Sequence, residues 1–143
     1  MTGRYLVFSI LFLLCALPAL GQDWDWTPAG TPPGVTSLND IAIDPQVPGT
    51  WFLGTGDGLY VTRDFGSSWD HAFSGWILDV VQSPTNSDRL FASARDSLYR
   101  SEDRGYTWSL VHVFPGRVQN IHISEADSSV YAGLRWYSDI PSP

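Results

Sequence analysis

The sequence predicts an all-β protein assembled from repeated four-stranded antiparallel units, and three observations lead there. The octet Thr62-Arg63-Asp64-Phe65-Gly66-Ser67-Ser68-Trp69 returns thirty-nine positions later as Ser101-Glu102-Asp103-Arg104-Gly105-Tyr106-Thr107-Trp108. Both copies read Ser/Thr-x-Asp-x-Gly-x-Ser/Thr-Trp, and each follows a Leu-Tyr pair, Leu59-Tyr60 or Leu98-Tyr99. Around the octets, short β-type runs alternate with Gly, Pro and Asp punctuation. The composition fits that pattern: seven Trp, six Tyr and seven Phe stand beside 13 Gly and 10 Pro, the mixture of short strands and tight turns. A period near forty with four strands per unit is the signature of β-propeller blades. The expected fold is an incomplete β-propeller of four-stranded antiparallel blades.

Residues 1–21 read as a cleavable signal peptide. Arg4 supplies the positive start, residues 6–17 are almost wholly apolar, and Ala19 and Gly21 are the small residues before Gln22. The apolar run is too short to span a bilayer comfortably, so no transmembrane segment is expected in the mature chain. Leu14 before Cys15 argues against a lipoprotein signal. Cys15 is the single cysteine, which leaves no disulfide framework and no Cys cluster for a metal. The destination expected is secretion to a periplasmic or extracellular space.

Residues 22–37 hold an orphan outer strand over 23–28 and then a turn-rich linker. Blade 1 covers 38–75, with strands expected at 39–44, 50–55, 59–63 and 68–72. Blade 2 covers 76–116 on the same plan, Asp79-Val80-Val81-Gln82 matching Asp40-Ile41-Ala42-Ile43. A partial blade 3 occupies 117–143, opening with Val118-Gln119-Asn120-Ile121-His122-Ile123 and losing the pattern after Gly133. A blade buries its faces only against neighbours. The expectation is therefore a truncated piece of a longer ring, its partners including the remaining blades, or else a chain that assembles with others.

Each slot of the octet has a mechanical reading. Asp64 and Asp103 can turn their carboxylates onto backbone N–H groups two residues on, and Gly66 and Gly105 supply a positive φ. The hydroxyls of Thr62, Ser68, Ser101 and Thr107 satisfy further loop groups, and Trp69 and Trp108 cover the turns. Trp51, Trp69 and Trp108 fall on core positions of the pattern. The octets resemble the Asp-box, or bacterial neuraminidase repeat, which implies the hairpin between the third and fourth strands of a propeller blade. Sortilin, photosystem II assembly factor and xyloglucanase families carry similar repeats.

Blade topology places the octet and the strand 1–2 loop on one rim. The strand 2–3 loop and the inter-blade link fall on the other, the usual binding face of propellers. That face gathers the candidate binding residues Asp57, Trp76, Arg95, Asp96, Arg135 and Trp136, with Asp40 and Asp79 where the inner strands begin. Asp40 and Asp79 hold equivalent places, open to two readings: a carboxylate pair for glycoside hydrolysis, or structural ligands of inter-blade backbone groups. Trp76 and Trp136 are the contact candidates.

Several chemistries are excluded. The net charge of −7 leaves no basic surplus for nucleic acid. All eight basic residues are Arg, so lysine Schiff-base and P-loop chemistry are absent. His71, His112 and His122 lack metal-ligand spacing, and no cofactor motif occurs. The sialidase resemblance lacks the arginine triad and the Arg-Ile-Pro motif that family implies. The function expected is a secreted, non-catalytic binding or scaffold module for a protein or carbohydrate ligand. The alternative is the N-terminal part of a secreted glycoside hydrolase of xyloglucanase or sialidase type, lacking most of its catalytic residues.

Overall fold

A computed structural model describes residues 12–13 and 27–136. Every element in it is a strand. β1 (Phe12–Leu13) and β2 (Thr27–Pro28) form a short antiparallel bridge. Of the orphan strand expected over 23–28, only Thr27 and Pro28 are within the described residues. The remainder, with most of the predicted signal peptide and residues 137–143, lies outside them.

Blade 1 is the meander β3 (Leu38–Ile43), β4 (Trp51–Thr55), β5 (Gly58–Thr62) and β6 (Asp70–Ser74). Blade 2 repeats it as β7 (Ile77–Gln82), β8 (Leu90–Ala94), β9 (Ser97–Ser101) and β10 (Ser109–Val113). Two strands follow, β11 (Arg117–Ile123) and β12 (Val130–Arg135), paired to each other. The inner strands β3, β7 and β11 lie side by side, so the sheets fan out as consecutive blades of an incomplete β-propeller. The fourth strands start at Asp70 and Ser109, later than the periodicity predicts, because the octet keeps Ser68 and Trp69 in its turn.

Blade faces make the core. Phe52, Leu59 and Val61 of blade 1 bury against Ile77, Val80, Leu90 and Ala92 of blade 2. Phe91 and Leu98 then bury against Val118, Ile121 and Ile123. Each inner strand carries one extra residue at the same place: Asn39, Leu78 and Gln119. These bulges bring Asp40, Asp79 and Asn120 opposite Gly54, Ser93 and Gly133 in turn, giving the three units one register. The step is fitted by size. A Cβ on Gly54 would stand 2.9 Å from Ile77 Cγ2, so only glycine lets the isoleucine in.

The two octets close with the same hydrogen bonds. Asp64 Oδ1 accepts from the Ser68 N–H at 2.8 Å and the Thr62 hydroxyl at 2.8 Å, and Oδ2 accepts from the Ser68 hydroxyl at 2.6 Å. Asp103 repeats this with Thr107 and Ser101. The Thr62 and Ser101 hydroxyls in turn accept from the N–H groups of Gly66 and Gly105. The carboxylate thus reaches four residues on, not two, and the hydroxyl takes the nearer amide. Phe65 and Arg104 share the left-handed region with the glycine that follows, at φ 59° and 58°. Trp108 Nε1–H closes onto Gly105 O, whereas Trp69 Nε1–H reaches Gly30 O instead. Trp51 is fully buried, but Trp69 and Trp108 are only half-buried, since each lies across the outside of its turn.

These geometries set a stability test. Gly105 sits at φ +80° with a hypothetical Cβ only 2.5 Å from the Phe52 ring, while Gly34 shares φ +80° with open space around it. Gly105→Ala is expected to cost at least about 2 kcal/mol through strain plus overpacking, and Gly34→Ala about 1 kcal/mol through strain alone. Urea unfolding of the two variants checks the difference.

Candidate functional site

The rim opposite the octets is stitched by backbone hydrogen bonds between the strand 2–3 loops and the inter-blade links, the one from Val118 crossing from one blade to the next. Gly75 N–H donates to Asp57 O, Arg95 N–H to Trp76 O, and Val118 N–H to Arg95 O. Phe114 N–H donates to Asp96 O in the same stretch. This ladder fixes the strand 2–3 loops against the inter-blade links and so fixes what those loops present. Arg95 and Asp96 form a two-residue turn between β8 and β9, with Arg95 at φ 56°. Beside them lies a cleft of about 320 Å³ lined by Arg95, Asp96, Pro115, Gly116, Arg117 and Trp136.

The aromatic residues of this rim are open. Trp76 is 45% exposed and Trp136 65% exposed. The Arg117 guanidinium, which lines the cleft, lies over the Trp76 ring, 5.5 Å from its centroid. Gly116 has Arg135 O and Trp136 packed where its side chain would be, so the turn comes close to the indole. Arg95, Asp96 and Trp136 thus share one cleft and Trp76 borders it through Arg117. Arg135 pairs across the sheet from Arg117. Asp57 is exposed one blade back along the same rim. Arg117 escaped the sequence reading. Its signal is positional, because it fills in the second link the slot that Trp76 fills in the first.

Asp40 and Asp79 sit elsewhere, on the inner strands. Asp40 Oδ2 accepts from Val80 N–H at 2.8 Å, and Asp79 Oδ2 accepts from Ile121 N–H. Each carboxylate therefore clips its own blade to the next. Burial, followed by the neighbouring Asp40 carboxylate, pushes the Asp79 pKa up to about 6. Acid–base pairs of glycosidases stand about 5–9.5 Å apart, astride the bond they cut. Here each carboxylate is instead engaged by an N–H of the next inner strand, the structural reading of the pair. In the octets the direction reverses: hydroxyl and amide donors, those of Ser68 and Thr107 foremost, hold Asp64 and Asp103 below the usual carboxylate range. His71, His112 and His122 are all exposed and on separate strands. Among the described residues no group of three His, Cys, Asp or Glu side chains converges on a metal position, and no helix is long and apolar enough to cross a membrane.

No family model matches the chain. It is 32% identical over 75 residues to a xyloglucanase of Hypocrea jecorina (strain QM6a), a stretch covering 50% of this chain and 9% of that protein. Among solved structures, an ancestral GH74 enzyme superposes with TM-score 0.62 at 20% identity, over 73% of this chain and 14% of its own. The GH74 enzyme of Niastella koreensis gives 0.61 at 21% identity, over 77% and 20%. YCF48 bound to D1 peptide gives 0.53 at 18% identity, over 80% and 38%. At these identities the likeness is one of fold, and the chain spans only a small part of the xyloglucanase.

The two carboxylate environments predict opposite pH responses. Asp64 and Asp103 have depressed folded pKa values, so their stabilisation is present above the unfolded value of 3.8 and is lost as pH falls through the folded ones. Asp79 has a raised one, so its contribution is full below 3.8 and is lost as pH rises through about 6. Asp79→Asn keeps an acceptor for Ile121 N–H and removes the ionisation. It is expected to flatten the stability profile between pH 4 and 6, a change of about 1 kcal/mol once solvent screening of this half-open site is allowed for. Urea titrations across that pH range check it.

Proposed function

We propose that the chain is a non-catalytic binding module whose working surface is the rim carrying Trp76, Arg95, Asp96, Arg117 and Trp136, and that its ligand is a polysaccharide chain. The observation that carries this is the pair of exposed indoles held beside a polar cleft. Sugar rings present flat C–H faces that stack on indole, while guanidinium and carboxylate groups satisfy the hydroxyls at the ring edges. The resemblance to a xyloglucanase favours a glycan over other ligands. The octets, in this reading, are Asp-box hairpins that fix the blades, and residues 1–21 are a signal peptide that takes the module out of the cell.

A second reading is favoured by one specific observation. YCF48, of the same fold, is bound to a D1 peptide in its structure, so an extended peptide is the competing ligand for this rim. The enzymatic alternative, in which the chain forms part of a glycoside hydrolase, is favoured by the xyloglucanase match and by the likeness in fold to the two GH74 enzymes. The clipped Asp40–Asp79 pair weighs against it.

Soluble xyloglucan oligosaccharides titrated into the protein test the first reading. Trp76→Ala with Trp136→Ala is expected to weaken binding at least about tenfold, or 1.4 kcal/mol, while Phe65→Ala on the opposite rim leaves it unchanged. Equal affinity in the double variant overturns the assignment. Release of reducing ends from xyloglucan by the chain alone would favour the enzyme.

A further inference from the structure

The arginines of this acidic chain divide between its two rims. Arg63 pairs with Asp70, Arg89 and Arg100 with Glu102, and Arg104 with Asp88, all toward the octet side. The other three among the described residues, Arg95, Arg117 and Arg135, stand together on the opposite rim. Arg95 and Arg117 line one cleft, and Arg117 pairs in register with Arg135 across β11 and β12. Like charges set opposite each other on a sheet repel, so this gathering is not something the blade requires. Of the carboxylates nearby, Asp40 and Asp79 are engaged by inner-strand N–H groups. Asp96 accepts from the Ser97 hydroxyl at 3.1 Å, and Asp57 lies one blade back.

The repeat sets the places of these arginines but not their identity. Val118 opposite Leu134 matches Ile77 opposite Ala94, so Arg135 repeats Arg95 one unit further on. Blade 1 has Gly56 in that slot and Ser37 in the slot of Arg117, so a blade builds without them. Arg95 sits at φ 56°, in the left-handed region that glycine adopts without strain. Its N–H is held by Trp76 O and its own carbonyl by Val118 N–H at 2.7 Å, which fixes the turn that brings it to the cleft. Among the described residues no carboxylate pairs with Arg95, which is exposed.

We infer that the polysaccharide taken by this rim is acidic, a uronate polymer whose carboxylates pair with Arg95, Arg117 and Arg135. The inference rests on the reading of the rim as a glycan site and adds the charge of the glycan. Guanidinium groups grip carboxylates through two parallel N–H donors. A uronate ring carries that carboxylate on a rigid pyranose whose flat C–H face stacks on indole. The rim holds the matching pair side by side, the Arg117 guanidinium 5.5 Å from the Trp76 centroid. An acidic peptide presents its carboxylates on flexible stems with no flat sugar face, so it meets the arginines without the indoles. Arg95 and Arg135 repeat from one unit to the next, which suits a polymer charged on every ring better than a single anion.

Calorimetric titration with oligogalacturonate and with its fully methyl-esterified form tests this, because the two share a backbone and differ in charge. The free acid is expected to bind the unsubstituted protein at least about tenfold tighter than the ester at low salt, and added salt to erode that difference. Arg95→Gln is expected to remove most of the preference and Arg95→Lys to retain more of it. Arg63→Gln on the octet rim makes the same change in net charge and is expected to leave the preference intact. The urea midpoint of each variant reports that the blades are folded. Equal affinity for acid and ester overturns the inference and leaves the glycan reading standing, as does binding of xyloglucan oligosaccharides without binding of oligogalacturonate. Binding of none of the three glycans overturns both. Poly-glutamate bound as tightly as oligogalacturonate overturns the inference in favour of an acidic peptide, and a preference unchanged in folded Arg95→Gln overturns it as well.

Discussion

Everything in this chain depends on one constraint: a blade has no core of its own and must bury its faces against the next blade. Ile77 entering the gap at Gly54, with Asp40 holding Val80 N–H beside it, is that constraint in atomic form. The apolar contact supplies most of the driving force, since burial of large aliphatic and aromatic side chains dominates folding free energy. The carboxylate adds direction, because Asp40 and Asp79 each accept from the N–H at the equivalent place of the next inner strand, Val80 and Ile121. The bulges at Asn39, Leu78 and Gln119 make that register repeatable by turning the same face of each inner strand toward its neighbour.

The repeat uses aspartate in two opposite ways. In the octets the carboxylate stays at the surface, surrounded by hydroxyl and amide donors, and the charged form is what the turn requires. On the inner strands the carboxylate is partly withdrawn from water and set beside another carboxylate, so charge is a liability and the acceptor oxygen is what matters. That distinction explains why an amide can stand at Asn120, while both octets keep a carboxylate that receives three donors at once.

Much of the fold is legible in the sequence, because turn chemistry is local. The Asp, Gly and hydroxyl slots of the octet, the Leu-Tyr pairs and the alternation of the inner strands each act within a few residues, so spacing alone places the hairpins and the blades. What escapes is set across blades. The fourth strands begin later than alternation implies because the octet's hydrogen bonds hold Ser68 and Trp69 in the turn. The left-handed conformation at Phe65 and Arg104 has no signature in those side chains, as the following glycine and the hydroxyl at Thr62 or Ser101 impose it. The stacking of Arg117 on Trp76 joins residues forty-one positions apart, and nothing near either residue announces it.

The same reasoning separates framework from function. Positions that the blade interface dictates carry the same chemistry in each unit: Asp40, Asp79 and Asn120 all present an acceptor, and Gly54, Ser93 and Gly133 all stay small. The residue at the mouth of each inner strand, just before β3 and β7 and first in β11, is under no such demand. There the chain has Ser37, Trp76 and Arg117, three unrelated side chains in three equivalent places. Ser37 is absorbed locally, accepting from Gly56 N–H. The other two meet as a cation over an indole next to a cleft. Where a repeat holds its scaffold constant and lets one rim vary, the variation is free to serve a ligand, and that is why the rim rather than the carboxylate pair is the place to look for one.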